Sequence, residues 1–261
     1  LWSAVAARLA RSARVLALDL AGFGHTPLAG RRAALEANRR LLDRFLDEVV
    51  GGPVVLMGNS MGGTLALLEA AAQPQRVAGL VLVCPSVPRP AGVALDRDVL
   101  RACAVAVVPG LAERVLYARR RRLGTDGMLR EGLRLCCVDP ASVPEPTRAA
   151  MFAYARERAR MEWADDAYLQ AARSLISLHT RGRRRFAERI ARVRAPTLLI
   201  QGAADRLAPL AAAERLASER SEWTFAILDD IGHLPMLEAP DRFADLVEVW
   251  LNRLRPHART L

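Results

Sequence analysis

Apolar residues fall along this chain in two rhythms. Short, mostly apolar runs at Val15–Asp19, Val54–Gly58, Leu80–Val83, Pro196–Ile200 and Thr224–Leu228 have the length and branched side chains of buried strands. Between them the spacing stretches to three and four. Trp2, Val5 and Leu9 predict a short first helix. Leu35, Leu42, Phe45, Leu46 and Val49 predict a long amphipathic helix, stopped by Gly51-Gly52-Pro53. A third helix begins at Met61 and runs to about Gln73, where Pro74 ends it. Ala211–Ala217 reads as another. The last carries Phe243, Leu246, Val247, Trp250, Leu251 and Leu254 as one stripe. Strand and helix alternate, the order that specifies an α/β fold with a mostly parallel sheet wrapped by helices.

The alternation breaks once. Residues 85–194 show no strand pattern, only helical stretches punctuated by Pro88, Pro90, Pro109, Pro140, Pro144 and Pro146. That length is too great for a loop in a compact domain. A helical insertion, a lid or cap, is expected there, with its own apolar side chains at Leu133, Met151, Phe152, Tyr154, Met161, Trp163 and Tyr168. The organisation is then a first part of the core over 1–84, an inserted cap over 85–194, and a second part of the core over 195–261.

The strand at Val54–Gly58 runs directly into Gly58-Asn59-Ser60-Met61-Gly62-Gly63, and a helix follows. A Gly-x-Ser-x-Gly pentapeptide at a strand-to-helix joint is the setting of a nucleophile elbow. The reversal at Ser60 is expected to leave no room for a side chain at position 58 or 62. Met61 opens the helix, so its N–H is free to hold developing negative charge. A serine hydroxyl needs a base, and the base needs a carboxylate to fix its tautomer. The chain has four histidines. His257 lies in the C-terminal tail, His179 in the insertion, and His25 after the first strand. His233 directly follows the last strand, where a base must sit to reach a serine at the same sheet edge. Asp205 holds the matching place after the strand before it, and the order Ser60, Asp205, His233 is that of serine, acid and histidine in such folds. Each has a bland reading: Asp205 as a helix cap, His233 as a loop residue bonded to backbone. Asp229 and Asp230 are rival acids, but they lie too near His233 in sequence to reach its far nitrogen easily.

Composition narrows the class. The chain has 261 residues, 52% hydrophobic but only 5% aromatic, so alanine, leucine and valine must fill its interior. All 38 basic residues are arginine, against 28 acidic residues, for a formal charge of +10. The densest runs, Arg119–Arg122 and Arg183–Arg185, lack interleaved aromatics and match no nucleic-acid motif, so they read as solvated faces. Cys84, Cys103, Cys136 and Cys137 show no metal-ligand spacing and read as reduced thiols of a cytoplasmic protein. No apolar run is long enough to span a membrane. No metal or cofactor is implied; a small molecule is the expected partner.

The segments Asp19-Leu20-Ala21-Gly22-Phe23-Gly24, Gly58-Asn59-Ser60-Met61-Gly62-Gly63, Gly202-Ala203-Ala204-Asp205-Arg206 and Gly232-His233-Leu234-Pro235 together resemble the α/β-hydrolases of the esterase, lactonase and carbon–carbon hydrolase group. The resemblance implies a serine hydrolase cleaving an ester-like bond in a small, largely apolar substrate through an acyl-enzyme. Ser60, His233 and Asp205 would be the triad and Met61 N–H an oxyanion donor. Carbon–carbon hydrolysis, acyl transfer and perhydrolysis run on the same triad, and a ligand-binding protein without turnover is the reading from another class. Asn59 is similar to many carbon–carbon hydrolases, whereas Leu234 replaces the tryptophan they commonly carry after the histidine. Family members usually open with a hairpin and a further strand ending in a His-Gly loop, which supplies a second oxyanion N–H. No such segment precedes Leu1. The chain is therefore expected to be part of a longer protein, with a gap in the sheet between Val15–Asp19 and Val54–Gly58. Loss of that second donor is expected to cost about 10²–10³ in turnover.

Overall fold

A computed structural model describes residues 1–254. Four strands, β1 (Val54–Asn59), β2 (Val77–Val83), β3 (Thr197–Gly202) and β4 (Thr224–Leu228), form one parallel sheet in the order β1-β2-β3-β4. The register pairs Asn59 with Val83, Val83 with Ile200 and Gly202 with Leu228. All four carboxyl ends therefore open on one side of the sheet. β2 and β3 are buried nearly throughout, as a parallel strand covered on both faces must be.

Eleven helices surround the sheet among the described residues: α1 (Ala6–Leu9), α2 (Leu35–Phe45), α3 (Met61–Ala72), α4 (Arg97–Ala106), α5 (Leu111–Cys136), α6 (Glu145–Arg158), α7 (Ala164–His179), α8 (Arg183–Ile190), α9 (Leu210–Ser218), α10 (Pro235–Glu238) and α11 (Pro240–Leu254). Alternation along the strands divides the interior into two layers. Val81, Val83, Leu198 and Ile200 pack with Val5, just before α1, with Leu9 of α1, and with Phe243, Val247 and Trp250 of α11. Leu80, Leu82 and Leu199 pack with Leu65 and Leu68 of α3, Phe186 and Ile190 of α8, and Leu216 of α9. The stripe expected on the last helix is this buried face: Phe243 and Val247 are fully buried, and Trp2 stacks on Phe243 at 6.3 Å.

Between β2 and β3 the chain forms α4 to α8 and, among the described residues, no strand; α5 breaks at Gly124, where φ is 64°. The helices between β2 and β3 do not keep their apolar side chains to themselves. Leu133, with Met151 packed against the same cluster, joins the sheet's core beneath α10 and α11. Tyr168 is instead exposed.

Two expectations are corrected. Val15–Asp19 is not a strand; among the described residues it pairs with no strand, and Val15 and Leu16 are 40% and 43% exposed. A strand exists only by hydrogen bonding to a neighbour, and among the described residues β1, at the edge of the sheet, has no partner strand on its outer side. The long second helix is also shorter than its apolar spacing suggests. After Phe45 it widens into a π-helical turn at Leu46–Val50, closed by Gly51 at φ 71°. The wider turn breaks the 3.6-residue phase, which leaves Leu46 buried and Val49 exposed.

Candidate active site

Ser60 stands at the tip of β1 and begins α3, with φ 53° and ψ −118°. A non-glycine residue in this region carries strain that its surroundings must hold in place. Here its N–H donates to the carbonyl of Val83 at 3.0 Å, and its carbonyl accepts from the N–H groups of Thr64 and Ser86, each at 3.1 Å. Gly58 is required sterically: a Cβ there would lie 2.3 Å from the backbone of Gly62. Gly62 departs from expectation, since a Cβ on it would meet nothing within 4 Å. The second crowded position is Gly63, whose Cβ would lie 2.9 Å from that of Pro85. As first residue of α3, Met61 has no turn before it to take its N–H, and among the described residues that N–H has no acceptor.

Asp205 and His233 meet. His233 Nδ1 lies 2.7 Å from Asp205 Oδ2, with both side chains buried. Gln201 Nε2 donates to the same oxygen at 3.1 Å, while Oδ1 accepts from the N–H groups of Leu207 and Ala208 at 2.8 and 2.9 Å. A carboxylate receiving four hydrogen bonds acts as acceptor throughout, so Nδ1 carries the imidazole proton and Nε2 the lone pair. Asp205 does cap its own loop through Oδ1, so the structure joins that bland role to contact with the histidine.

The loops bearing Asp205 and His233 interlock. A Cβ on Gly202 would lie 2.0 Å from the carbonyl oxygen of Gly232, so only glycine allows this approach. His233 N–H donates to the carbonyl of Cys136 at 2.6 Å, and Gly232 N–H donates to Glu238 Oε1 at 2.8 Å. The other oxygen of Glu238 accepts from Val138 N–H at 2.6 Å, tying the histidine loop to the end of α5. Burial holds this carboxyl above its ordinary range, although its backbone donors pull the other way. Asn59 Nδ2 donates to the carbonyls of Val83 and His233 at 3.2 and 3.0 Å. The residue before the serine thus fastens the base's own backbone. Among the described residues Ser60 Oγ makes no hydrogen bond, as is common before substrate draws nucleophile and base together.

Cys84, at φ 43°, sits beneath the pair. Its Sγ accepts from Gly202 N–H at 3.5 Å and donates to the carbonyl of Gly232 at 3.7 Å. Cys84, Asp205 and His233 are the one group of donors among the described residues spaced closely enough for a metal ion. The donor atoms are already engaged within the protein: Cys84 Sγ with Gly202 N–H and the Gly232 carbonyl, and Asp205 Oδ2 with Gln201 and His233. Burial and the neighbouring Asp205 push the Cys84 thiol well above its ordinary range. The Cys136 thiol is likewise pushed up to about 12.

The remaining candidates lie apart. His25 is exposed and paired with Glu157 at 3.0 Å, Asp229 is exposed, and Asp230 is exposed and pairs with Arg242. His257 falls outside the described residues. His179, set aside on sequence because it lies in the insertion, bonds through Nε2 to Ser86 Oγ at 3.0 Å beside the elbow. Gln201, Glu238 and Ser86 escape a sequence reading, since no motif marks them. Only the adjacency of Asn59 to Ser60 hinted at its role.

The profile of the alpha/beta hydrolase family matches residues 1–246. The chain belongs to that family. This hydrolase is 34% identical over 253 residues to the pimeloyl-[acyl-carrier protein] methyl ester esterase of Aromatoleum aromaticum, covering 95% of the chain and 91% of that protein. It is 31% identical to the 2-hydroxymuconate semialdehyde hydrolase of a Pseudomonas species, covering 94% of the chain and 79% of that protein. A thermophilic esterase from Thermogutta terrifontis shares the fold at a TM-score of 0.68 and 24% identity, over 97% of this hydrolase and 85% of that chain. Among the described residues, no helix of this hydrolase is long and apolar enough to cross a membrane.

Proposed function

We propose that this hydrolase cleaves a carboxylic ester in a small, largely apolar molecule through a serine acyl-enzyme. The observation that carries the reading is the buried 2.7 Å contact between His233 Nδ1 and Asp205 Oδ2, set at the sheet edge that presents Ser60. With Nδ1–H held by Asp205, Nε2 of His233 takes the Ser60 proton as Oγ attacks the ester carbonyl. Met61 N–H donates to the oxyanion that forms. The imidazolium then protonates the leaving alkoxide, the alcohol departs, and water, activated by the same nitrogen, releases the acid. The similarity to the Aromatoleum esterase supports ester chemistry. The helices between β2 and β3 would serve as the cap that shapes the substrate site. The free thiols at Cys84, Cys103, Cys136 and Cys137 fit the reducing cytoplasm, and that setting is part of the proposal.

The experiment is replacement of Ser60 by alanine. Turnover of p-nitrophenyl butyrate falls to background and labelling by a fluorophosphonate disappears; turnover that survives the change overturns the assignment. A second reading, hydrolysis of a carbon–carbon bond, draws on the Pseudomonas relative and on Asn59 before the serine. Ring-cleavage dienoates outpacing butyrate and caproate esters at equal concentration would favour it.

A further inference from the structure

Apart from the Asp205–His233 pair, the structure contains a serine–histidine contact, and it touches the elbow. Ser86 follows β2 by three residues, and His179 is the last residue of α7. Their hydrogen bond spans 93 positions of sequence and joins the end of α7 to the segment that leaves β2. Ser86 is bound on three sides. Its N–H donates to the carbonyl of Ser60 at 3.1 Å, its own carbonyl accepts from Thr64 Oγ1 at 2.6 Å, and its hydroxyl meets His179. Thr64 is fully buried and its backbone N–H also donates to the Ser60 carbonyl. The backbone of Ser86 is thus among the restraints that keep Ser60 at its positive φ.

The chain turns sharply after His179, with Gly182 N–H donating to the carbonyl of Ser177 at 2.8 Å, and enters α8. Phe186 and Ile190 of α8 then join Leu65 and Leu68 of the elbow helix in the core. The α7–α8 corner therefore holds the elbow twice, through apolar packing on α3 and through one polar contact on the loop that bonds Ser60. Burial lowers the pKa of His179, helped by Arg89 and opposed by its hydrogen bond with Ser86, so near neutral pH the contact joins a hydroxyl to an uncharged imidazole.

We propose that His179 and Ser86 are a positioning pair, through which the seating of the helical insertion sets the geometry of Ser60. The inference rests on the reading of Ser60 as nucleophile. Ser86→Ala removes the hydroxyl but keeps both backbone hydrogen bonds, and His179→Ala removes the partner from the other side. Each lowers kcat for p-nitrophenyl butyrate, and the rate of fluorophosphonate labelling, about tenfold per folded molecule, because small displacements of a nucleophile are costly. The double variant is no slower than either single one, since both cut the same bond. His179→Gln, whose amide can still reach the hydroxyl, keeps most of the rate. A merely structural pair would lower the thermal midpoint and leave kcat and the labelling rate of folded protein unchanged. That result overturns the proposal, as do effects of the two single changes that multiply. Ser60→Ala separates the two levels. If Ser60→Ala stays active, the nucleophile assignment is lost; if only the pair variants are fully active, this inference alone is lost.

Discussion

At the scale of single residues, the site works by hydrogen bonds that leave each polar atom one task. Asp205 receives four donors, and one of them fixes the imidazole tautomer. Asp205→Asn would present an amide whose N–H₂ can face Nδ1, which favours the tautomer with the proton on Nε2. We expect kcat for p-nitrophenyl butyrate to fall by about 10⁴ with little change in KM; a loss below about tenfold would show that the carboxylate does not orient the base. The contact between Asp205 and His233 is legible in the sequence because each follows a strand that ends on the same sheet edge. The shell around them is not. Gln201, Glu238 and Cys84 act through loop carbonyls and N–H groups whose meeting depends on how Gly202 and Gly232 pack, and one-dimensional spacing carries no trace of that. His179 was passed over for a related reason, since only the folded chain brings the end of α7 to Ser86.

At the scale of elements, the joint between β1 and α3 shows how far pattern and geometry agree. The Gly-x-Ser-x-Gly run marks the turn, but only the fold shows which glycine is crowded. Gly58→Ala should fail to give folded, soluble protein, because its Cβ would overlap the Gly62 backbone. Gly62→Ala meets open space on a helix and should raise stability by up to about 1 kcal/mol, read as an increased urea midpoint. The reverse order would mean that the elbow packs differently. Strand periodicity succeeded wherever a neighbouring strand exists to pair with and failed at Val15–Asp19, where none does. Periodicity also missed the π-helical turn after Phe45, because a five-residue turn shifts which side chains face inward without changing their apolar character.

At the scale of the whole molecule, stability and acidity are linked through the insertion. The pKa of His179 lies below its ordinary 6.5 in the fold and returns to it on unfolding. Below about pH 6.5 the unfolded chain then binds more protons at this position than the native one, so stability is kept above that pH and declines as pH falls. Between about pH 7.5 and about pH 5.5, the urea midpoint of the wild type should drop further than that of His179→Gln. Equal slopes would mean that His179 titrates normally in the fold. The overall α/β architecture was legible because both faces of β2 and β3 are apolar; the shared packing of Leu133 with the sheet was not, since any apolar helix stripe reads as private until its neighbour is known.

The open flank of β1 has a mechanical consequence. On its inner side the strand pairs with β2 in register from Val55 and Gly79 to Asn59 and Val83, while among the described residues its outer row of amides and carbonyls faces no strand. Any extended segment laid along that row would stiffen β1 from the side opposite its present anchor. Ser60, the proposed nucleophile, stands at the very tip of this strand, so whatever occupies the flank also governs how firmly it is held.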